Sequence, residues 1–369
     1  PPPPPPTLTP EPPPPPPTLT PEPPPPPPTL TPEARAPEPP AEAEATATLP
    51  PYATPFPPGG QSKLGLFVGY LHSAFEQLLR TKNLALVKTL EYDPNLVEFI
   101  KQISPNTIVV ARYTPLGQLD WNSVDPIGEA HRFVNLLLPI ASEPKRLANI
   151  DAWESYNEPV PNNPEAMQRW AAFEAERTRL LAGAGIRSCV GNFATGYPPL
   201  ELWPHFLPAV QAAKEHNGYL GLHEYSAPYM WFASGPFQLE EGVNEGDEGW
   251  LTLRYRKVYR QFLQPAGLAI PLLITETGID GQVNNRPGPP GKGWRDFEGF
   301  WKEQGQVRMT PAGFYVEQLA WYDAELQQDS YVRGAAIFAL GATGGWDSFE
   351  LAGSCAEILQ QYMSVHPRR

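Results

Sequence analysis

The chain predicts a (β/α)8 barrel, an α/β TIM barrel, preceded by a disordered proline-rich segment. Three observations predict it. Beyond residue 60, eight apolar strand-like runs alternate with helical stretches, and that alternation builds a parallel sheet. The alternations occupy roughly 300 residues, the size of one such barrel. The fourth and seventh runs each end in a glutamate close to a strand breaker, Pro159 in one case and Gly278 in the other. In a barrel of parallel strands, functional side chains collect at the C-terminal strand ends. A doubly wound open sheet is the alternative architecture.

Residues 1–33 are three copies of one eleven-residue unit, PPPPPPTLTPE, and 29 of the 51 prolines fall within residues 1–60. Proline fixes φ and lacks a donor, so the segment favours extended polyproline II and acts as a semi-rigid spacer of about 3.1 Å per residue. A unit so poor in apolar side chains has no face to bury, which rules out a solenoid. Residues 34–60 continue as a Pro/Ala/Glu/Thr linker. The expected organisation is a disordered repeat linker over 1–60 and a catalytic barrel over 61–369. Such a stalk suits a protein held away from a wall or anchor, so an extracellular or surface-attached location is expected; binding to proline-recognising domains is a lesser reading. The chain opens on Pro without a signal peptide, so it reads as trimmed, with any export signal upstream.

Strand 1 is expected over 64–70 and a helix over 74–82. Strand 2 covers 84–90, and Pro94 opens a helix to about residue 103. Strand 3 covers 107–113, followed by helical apolar spacing over 126–142. Strand 4 covers 150–156; then Asn163 caps a helix that begins at Pro164 and runs to about residue 184. Strand 5 covers 187–193, and a helix over 200–215 is interrupted by Pro204 and Pro208. Strand 6 covers 218–225, with a helix over 251–263. Strand 7 covers 271–275, with a helix over 311–327; strand 8 covers 332–340, and 348–363 closes the chain. The two longest loops, 226–248 and 278–310, follow strands 6 and 7. Loops longer than about 15 residues in a compact domain are usually functional, and these are natural walls of a groove.

Composition excludes several classes. The net charge is −13, without a basic cluster, which argues against nucleic acid and anionic membrane surfaces. No run approaches the roughly 18 apolar residues of a membrane span. The two cysteines, Cys189 and Cys355, read as buried free thiols, and their spacing builds no metal site. His223-Glu224-Tyr225 lacks the second histidine of a His-Glu-x-x-His zinc motif. No metal and no cofactor are expected, and the chain is expected to be a monomer.

The chemistry rests on two stretches. Asp151-Ala152-Trp153-Glu154-Ser155-Tyr156-Asn157-Glu158-Pro159 is a strand that ends in a carboxylate, because Pro159 cannot donate to a sheet ladder. Pro271-Leu272-Leu273-Ile274-Thr275-Glu276-Thr277-Gly278 delivers a second glutamate to the same end. Paired carboxyl groups flanking a scissile bond are the requirement of glycoside hydrolysis.

Trp-Glu-x-x-Asn-Glu-Pro followed by Ile-Thr-Glu-Thr-Gly resembles clan A of the glycoside hydrolases, from about residue 64 onward. The resemblance implies a retaining β-glycosidase without cofactor, Glu158 as acid/base and Glu276 as nucleophile. It implies that Asn157 binds a sugar 2-hydroxyl, that Tyr225 hydrogen-bonds the nucleophile, that His223 touches substrate, and that Trp346 floors the sugar subsite. The family's arginine follows strand 2, whereas Arg112 falls on strand 3 and Lys88 is the basic residue near strand 2. Either the count is off or a different cation stands beside the nucleophile. His72, just after strand 1, is a candidate substrate contact. Among Trp231, Trp294 and Trp301, all in the long loops, at least one is expected to stack on sugar. Glu154 lies four residues before Glu158, on the same side and deeper, where a structural hydrogen bond is expected. The expected substrate is a polysaccharide cleaved within the chain. Exo action is one alternative; a silent barrel serving as a carbohydrate-binding or envelope-scaffold module is the other.

Overall fold

A computed structural model describes residues 56–90, 92–114, 117–235, 246–283 and 286–368. The repeat linker therefore lies outside the described residues up to position 55. Residues 56–60, expected to belong to it, instead pack on the barrel. Phe56 meets Tyr362 edge-on with ring centroids 5.1 Å apart, and the Gly59 amide donates to the Val365 carbonyl at 3.1 Å.

Eight strands form one parallel sheet: β1 (Leu64–Val68), β2 (Leu86–Thr89), β3 (Ile108–Arg112), β4 (Ala152–Glu154), β5 (Cys189–Phe193), β6 (Tyr219–Ser226), β7 (Leu272–Ile279) and β8 (Val332–Leu340). Their order is β4-β3-β2-β1-β8-β7-β6-β5. A parallel bridge from Trp153 to Ser188, with the Trp153 amide donating to the Arg187 carbonyl at 3.0 Å, joins the two ends. The sheet thus closes on itself, and the open-sheet alternative is excluded. The β4/β5 seam has the fewest ladder bonds.

The helices are α1 (Ser73–Arg80), α2 (Pro94–Ile103), α3 (Pro126–Ala141), α4 (Pro144–Asn149), α5 (Pro164–Ala182), α6 (Trp203–Glu215), α7 (Tyr255–Val258, continued as a π-turn over Tyr259–Leu263), α8 (Glu298–Glu303), α9 (Pro311–Gln327) and α10 (Ser354–Ser364). α2, α3, α4, α5 and α9 each open on a proline behind a side-chain cap, from Asp93, Asp125, Glu143, Asn163 and Thr310 respectively. Proline there gives up an N–H that would have no intrahelical partner, while the cap satisfies another. Among the described residues no helix is long and apolar enough to cross a membrane.

The core has two layers. Phe75, Trp170, Phe206, Leu319 and Ile358 pack between sheet and helices. Phe67, Leu86, Val110, Ala152, Cys189, Leu273 and Ala336 fill the barrel interior. Strand side chains alternate with a period of two. Lys88, Arg112 and Glu154, two residues beyond Leu86, Val110 and Ala152, therefore also point inward, one layer nearer the C-terminal mouth. Cys189 and Cys355 are buried and free, and burial pushes both thiols up, Cys355 to about 12.

Three departures from the sequence reading shape the site. β4 stops at Glu154, because Ser155 turns its hydroxyl to Glu174 on α5 at 2.5 Å. β7 runs to Ile279, four residues further than expected, still paired with β6. Gly278 permits this at φ +145°, where a Cβ would lie 2.7 Å from the Tyr315 hydroxyl. The 278–310 loop is also partly regular, with a 3-10 turn over Trp294–Phe297 leading into α8.

Candidate active site

Glu276 sits inside the mouth, its side chain only 9% exposed. Its Oε1 accepts from Lys88 Nζ at 2.8 Å and Arg112 Nη1 at 3.1 Å, and its Oε2 accepts from the Tyr225 hydroxyl at 3.0 Å. Burial opposes ionisation here, but electrostatic interaction with His223, Lys88 and Arg112 outweighs it and holds the carboxyl well below the usual carboxylate range. Burial, and then the charge of Glu276, push the Tyr225 phenol far up, so it remains a donor.

Lys88 is wholly buried and also pairs with Glu154 Oε2 at 2.9 Å. That contact is an ion pair without hydrogen-bond alignment, and neither Glu154 oxygen receives an aligned donor. The structural hydrogen bond expected for Glu154 is thus replaced by a charge contact with Lys88. The strand count was sound: Arg112 lies on β3 and Lys88 on β2, and both cations reach Glu276.

Glu158 lies beyond β4 at φ +46°. A non-glycine residue in that region carries about 1–2 kcal/mol of strain. The neighbours hold it there. Its amide donates to the Asn192 carbonyl at 3.1 Å, and Gln118 Nε2 donates to the carbonyl of Asn157. Arg112 Nη1 donates to Asn157 Oδ1, fixing that side chain beside the nucleophile candidate. The Glu158 side chain is 36% exposed, and its Oε1 lies 2.8 Å from His223 Nδ1. His223 Nδ1 is also 3.6 Å from Glu276 Oε2, so this buried ring stands between the two carboxylates. One oxygen of Glu158 and one of Glu276 lie within 4.8 Å of each other.

The β4/β5 seam beneath Glu158 is stitched from outside the barrel. Arg177 on α5 donates to the Trp153 carbonyl of β4 at 3.2 Å and the Cys189 carbonyl of β5 at 3.1 Å. Its partner Glu174, at 2.5 Å, accepts from Ser155 as well, and both side chains are wholly buried.

These groups open into a cavity of about 480 Å³, within the usual range of ligand pockets. Arg112, Asn157, Glu158, Tyr225, Glu276 and Trp346 line it, with Phe67, Phe338 and Phe349 forming an apolar wall. Trp346 is 40% exposed, with Lys292 Nζ 5.6 Å from its ring centroid.

Four expected contacts are elsewhere. His72 caps α1, its Nδ1 accepting from the Ala74 amide at 3.1 Å. Trp231 stacks on Tyr229 at 5.5 Å and packs against Trp321, away from the cavity lining. Trp294 is buried against Tyr315, and Trp301 is buried with its indole N–H on the Pro228 carbonyl at 2.8 Å. At least one of these tryptophans was expected to stack on sugar; instead Trp294 and Trp301 form the core of their own loop, and Trp231 packs against Tyr229 and Trp321. Asp280 and Gln282 also line the cavity and escaped sequence reading. With β7 ended at Thr275, both fell inside an undifferentiated loop.

Glu158, His223 and Glu276 are the one convergent trio of metal-ligand atoms found among the described residues. Both oxygens of Glu276 already accept hydrogen bonds, and the adjacent ammonium and guanidinium repel a cation. The donor set does not fit a metal ion.

No protein-family model matches this sequence, and no curated protein matches it. Among solved structures the chain is similar in fold to the β-D-glucuronidase of Dictyoglomus thermophilum, at 12% identity and TM-score 0.50, over 83% of this chain and 51% of that one. It also aligns with a GH128 subgroup II endo-β-1,3-glucanase of Sorangium cellulosum, at 18% identity and TM-score 0.43, over 83% of this chain and 100% of that one. A β-glucuronidase of Ruminococcus gnavus aligns at 12% identity and TM-score 0.47, over 82% of this chain and 50% of that one. This chain spans about half the length of the two glucuronidases. At these identities the likeness is one of fold. Fold and site together define a (β/α)8 barrel with a carboxylate pair at its C-terminal mouth.

Proposed function

We propose that this chain is a retaining glycoside hydrolase, cleaving β-glycosidic bonds of a polysaccharide by double displacement. The observation that carries this reading is the carboxylate spacing, with oxygens of Glu158 and Glu276 within 4.8 Å. Retaining enzymes hold the two carboxyl groups roughly 5–5.5 Å apart, whereas inverting enzymes need roughly 6.5–9.5 Å to admit a water. The fold likeness to a β-D-glucuronidase is consistent with that class of bond.

The environments supply the two roles. Glu276, held ionised by its cationic neighbours, attacks the anomeric carbon. Glu158 passes its proton to the departing glycosidic oxygen, and a glycosyl ester forms on Glu276. Esterification removes the negative charge of Glu276 from the site. Glu158 then takes a proton from water as the water oxygen attacks the anomeric carbon, and Glu276 leaves as carboxylate. Asn157 accepts or donates at the 2-hydroxyl beside the reacting carbon, and Trp346 supplies an apolar face. The long loops after β6 and β7 favour action within polymer chains. The Pro/Thr-rich N-terminal sequence favours an extracellular or surface-held enzyme.

The test is release of reducing ends from a panel of β-linked polysaccharides by wild type, Glu158→Gln and Glu276→Gln. Activity on one polymer that disappears in both variants supports the reading. Near wild-type turnover in either variant refutes the assignment.

A further inference from the structure

The same cavity carries information about which sugar it accepts. Asp280 is the first residue beyond β7, and its amide donates to the Ser226 carbonyl at 3.0 Å. One side-chain oxygen, Oδ1, accepts from the Gln282 amide at 2.8 Å and from Gln282 Nε2 at 3.3 Å. The other has no hydrogen-bond donor among the described residues and belongs to a carboxylate that lines the cavity. Burial pushes this carboxyl up, and the charge of Glu158 adds to that, so a donated hydroxyl would stabilise its ionised form.

The cations nearby are already engaged. Arg112, the cation lining the cavity, donates from Nη1 to Asn157 and Glu276. Lys88 is buried between Glu154 and Glu276. Arg286 is turned to the carbonyls of Gly281 and Pro287 and lies over the Phe297 ring. Lys292 sits at the rim, on Trp346 and the Gly345 carbonyl. Three carboxyl groups, Glu158, Glu276 and Asp280, thus face the cavity beside one guanidinium.

Resting on the glycosidase reading, we propose that Asp280, positioned by Gln282, is the specificity residue of this site: it accepts hydroxyls of a neutral glycosyl unit and turns away sugars that carry a carboxylate. A ring seated on Trp346 and Phe338 would present its hydroxyl edge to Asp280. A uronate in that place would set a further negative charge beside Glu276 and Asp280, where Arg112, the one cation in the cavity lining, already pairs with Glu276. A site built to hold a substrate hydroxyl also discriminates strongly, because the analogue leaves its buried polar groups unpaired.

The experiment has two readouts. The first is kcat/KM for 4-nitrophenyl β-D-glucoside, β-D-galactoside, β-D-mannoside and β-D-xyloside against 4-nitrophenyl β-D-glucuronide. The second is binding of Glu276→Gln protein to neutral β-glucan, mannan and xylan oligosaccharides against oligomannuronate. Wild type is compared with Asp280→Asn, and with Asp280→Ser as a second variant, each checked by thermal melting. The expected result is a preference of at least about 100-fold for the best neutral ligand, narrowed at least about tenfold in both variants. A uronide accepted within tenfold of the best neutral ligand overturns the proposal, as does a preference unchanged in folded Asp280→Asn. Selective binding without turnover retains the proposal and refutes the glycosidase reading. Neither binding nor turnover anywhere in the panel overturns both.

Discussion

Lys88→Met is the sharpest perturbation of this site. It removes an ammonium 2.8 Å from Glu276 and 2.9 Å from Glu154 while keeping a side chain of similar length. Two buried carboxylates then share one guanidinium, Arg112, 3.1 Å from Glu276 and 3.9 Å from Glu154, while Tyr225 and His223 remain beside Glu276 alone. Removing one partner of a buried ion pair costs about 3–5 kcal/mol, because the remaining charge stays desolvated. Guanidinium unfolding at pH 7 should show a loss of that size. Lys88→Met/Glu154→Gln should recover part of it, since one stranded charge goes too, whereas activity should not return. The sign in pH follows from linkage. The folded pKa of Glu276 is depressed, so its ionisation contributes stability above the unfolded value of about 4.3, and that contribution is lost as pH falls through the folded value. Without Lys88 the folded value rises. The acid limb of kcat/KM and the onset of acid destabilisation should both move to higher pH. A variant within about 1 kcal/mol of wild type, with an unmoved acid limb, would refute the claim that Lys88 keeps Glu276 ionised.

Other expectations follow from the same geometry. Tyr225→Phe removes the hydroxyl that donates to Glu276 Oε2 at 3.0 Å; a hydrogen bond to a charged group is worth about 1.5–3 kcal/mol, so kcat/KM should fall roughly 10–150-fold, read by steady-state kinetics. Glu158→Ala should retain the first step on 2,4-dinitrophenyl glycosides, which need no acid, and lose it on poor leaving groups; equal losses on both would contradict the acid role. Arg177→Met strands the wholly buried Glu174 and should cost about 3–5 kcal/mol in chemical denaturation. If the seam positions Glu158, poor leaving groups should suffer more than activated ones in the folded protein. A uniform loss would assign Arg177 to stability alone.

Much of this was legible in the residues. Apolar runs alternating with capped helices dictate the barrel, and Asn157-Glu158-Pro159 and Thr275-Glu276-Thr277 carry the carboxylate pair. What stayed hidden depends on distances that no local pattern encodes. Lys88 and Arg112 read as alternatives for one cation beside the nucleophile; that both reach Glu276 follows only from the three-dimensional placement of β2, β3 and β7. Trp294 and Trp301 lie in a Gly/Pro-rich stretch that reads as an exposed rim, yet they are buried at 3% and 0% relative exposure. A loop that long must bury its own aromatics to be ordered. His72 offers an imidazole beside strand 1, but the nearby unsatisfied helix amide takes it as a cap. Asp280 was missed because Gly278 reads as a terminator, whereas its freedom at positive φ lets the strand run on.

The division of labour proposed for the two glutamates rests on backbone position as much as on charge. Glu276 is a strand residue, in register opposite His223 of β6. Its carboxylate is therefore delivered by the ladder itself into a layer where β2, β3 and β6 contribute Lys88, Arg112 and Tyr225. Three strands supply donors to one acid, and the acid is held ionised. Glu158 has left its strand four residues earlier and stands in left-handed backbone, tied through its amide to Asn192 beyond the seam. There its carboxyl is a third exposed and meets an imidazole in place of a lysine. In the proposed mechanism the acid/base must gain and lose a proton in each cycle, so it cannot be locked by fixed cations as the nucleophile can. The bend after β4 takes Glu158 out of that cationic layer. The buried Arg177–Glu174 pair under the seam lets the barrel tolerate a strand of three residues at the place where this bend is needed.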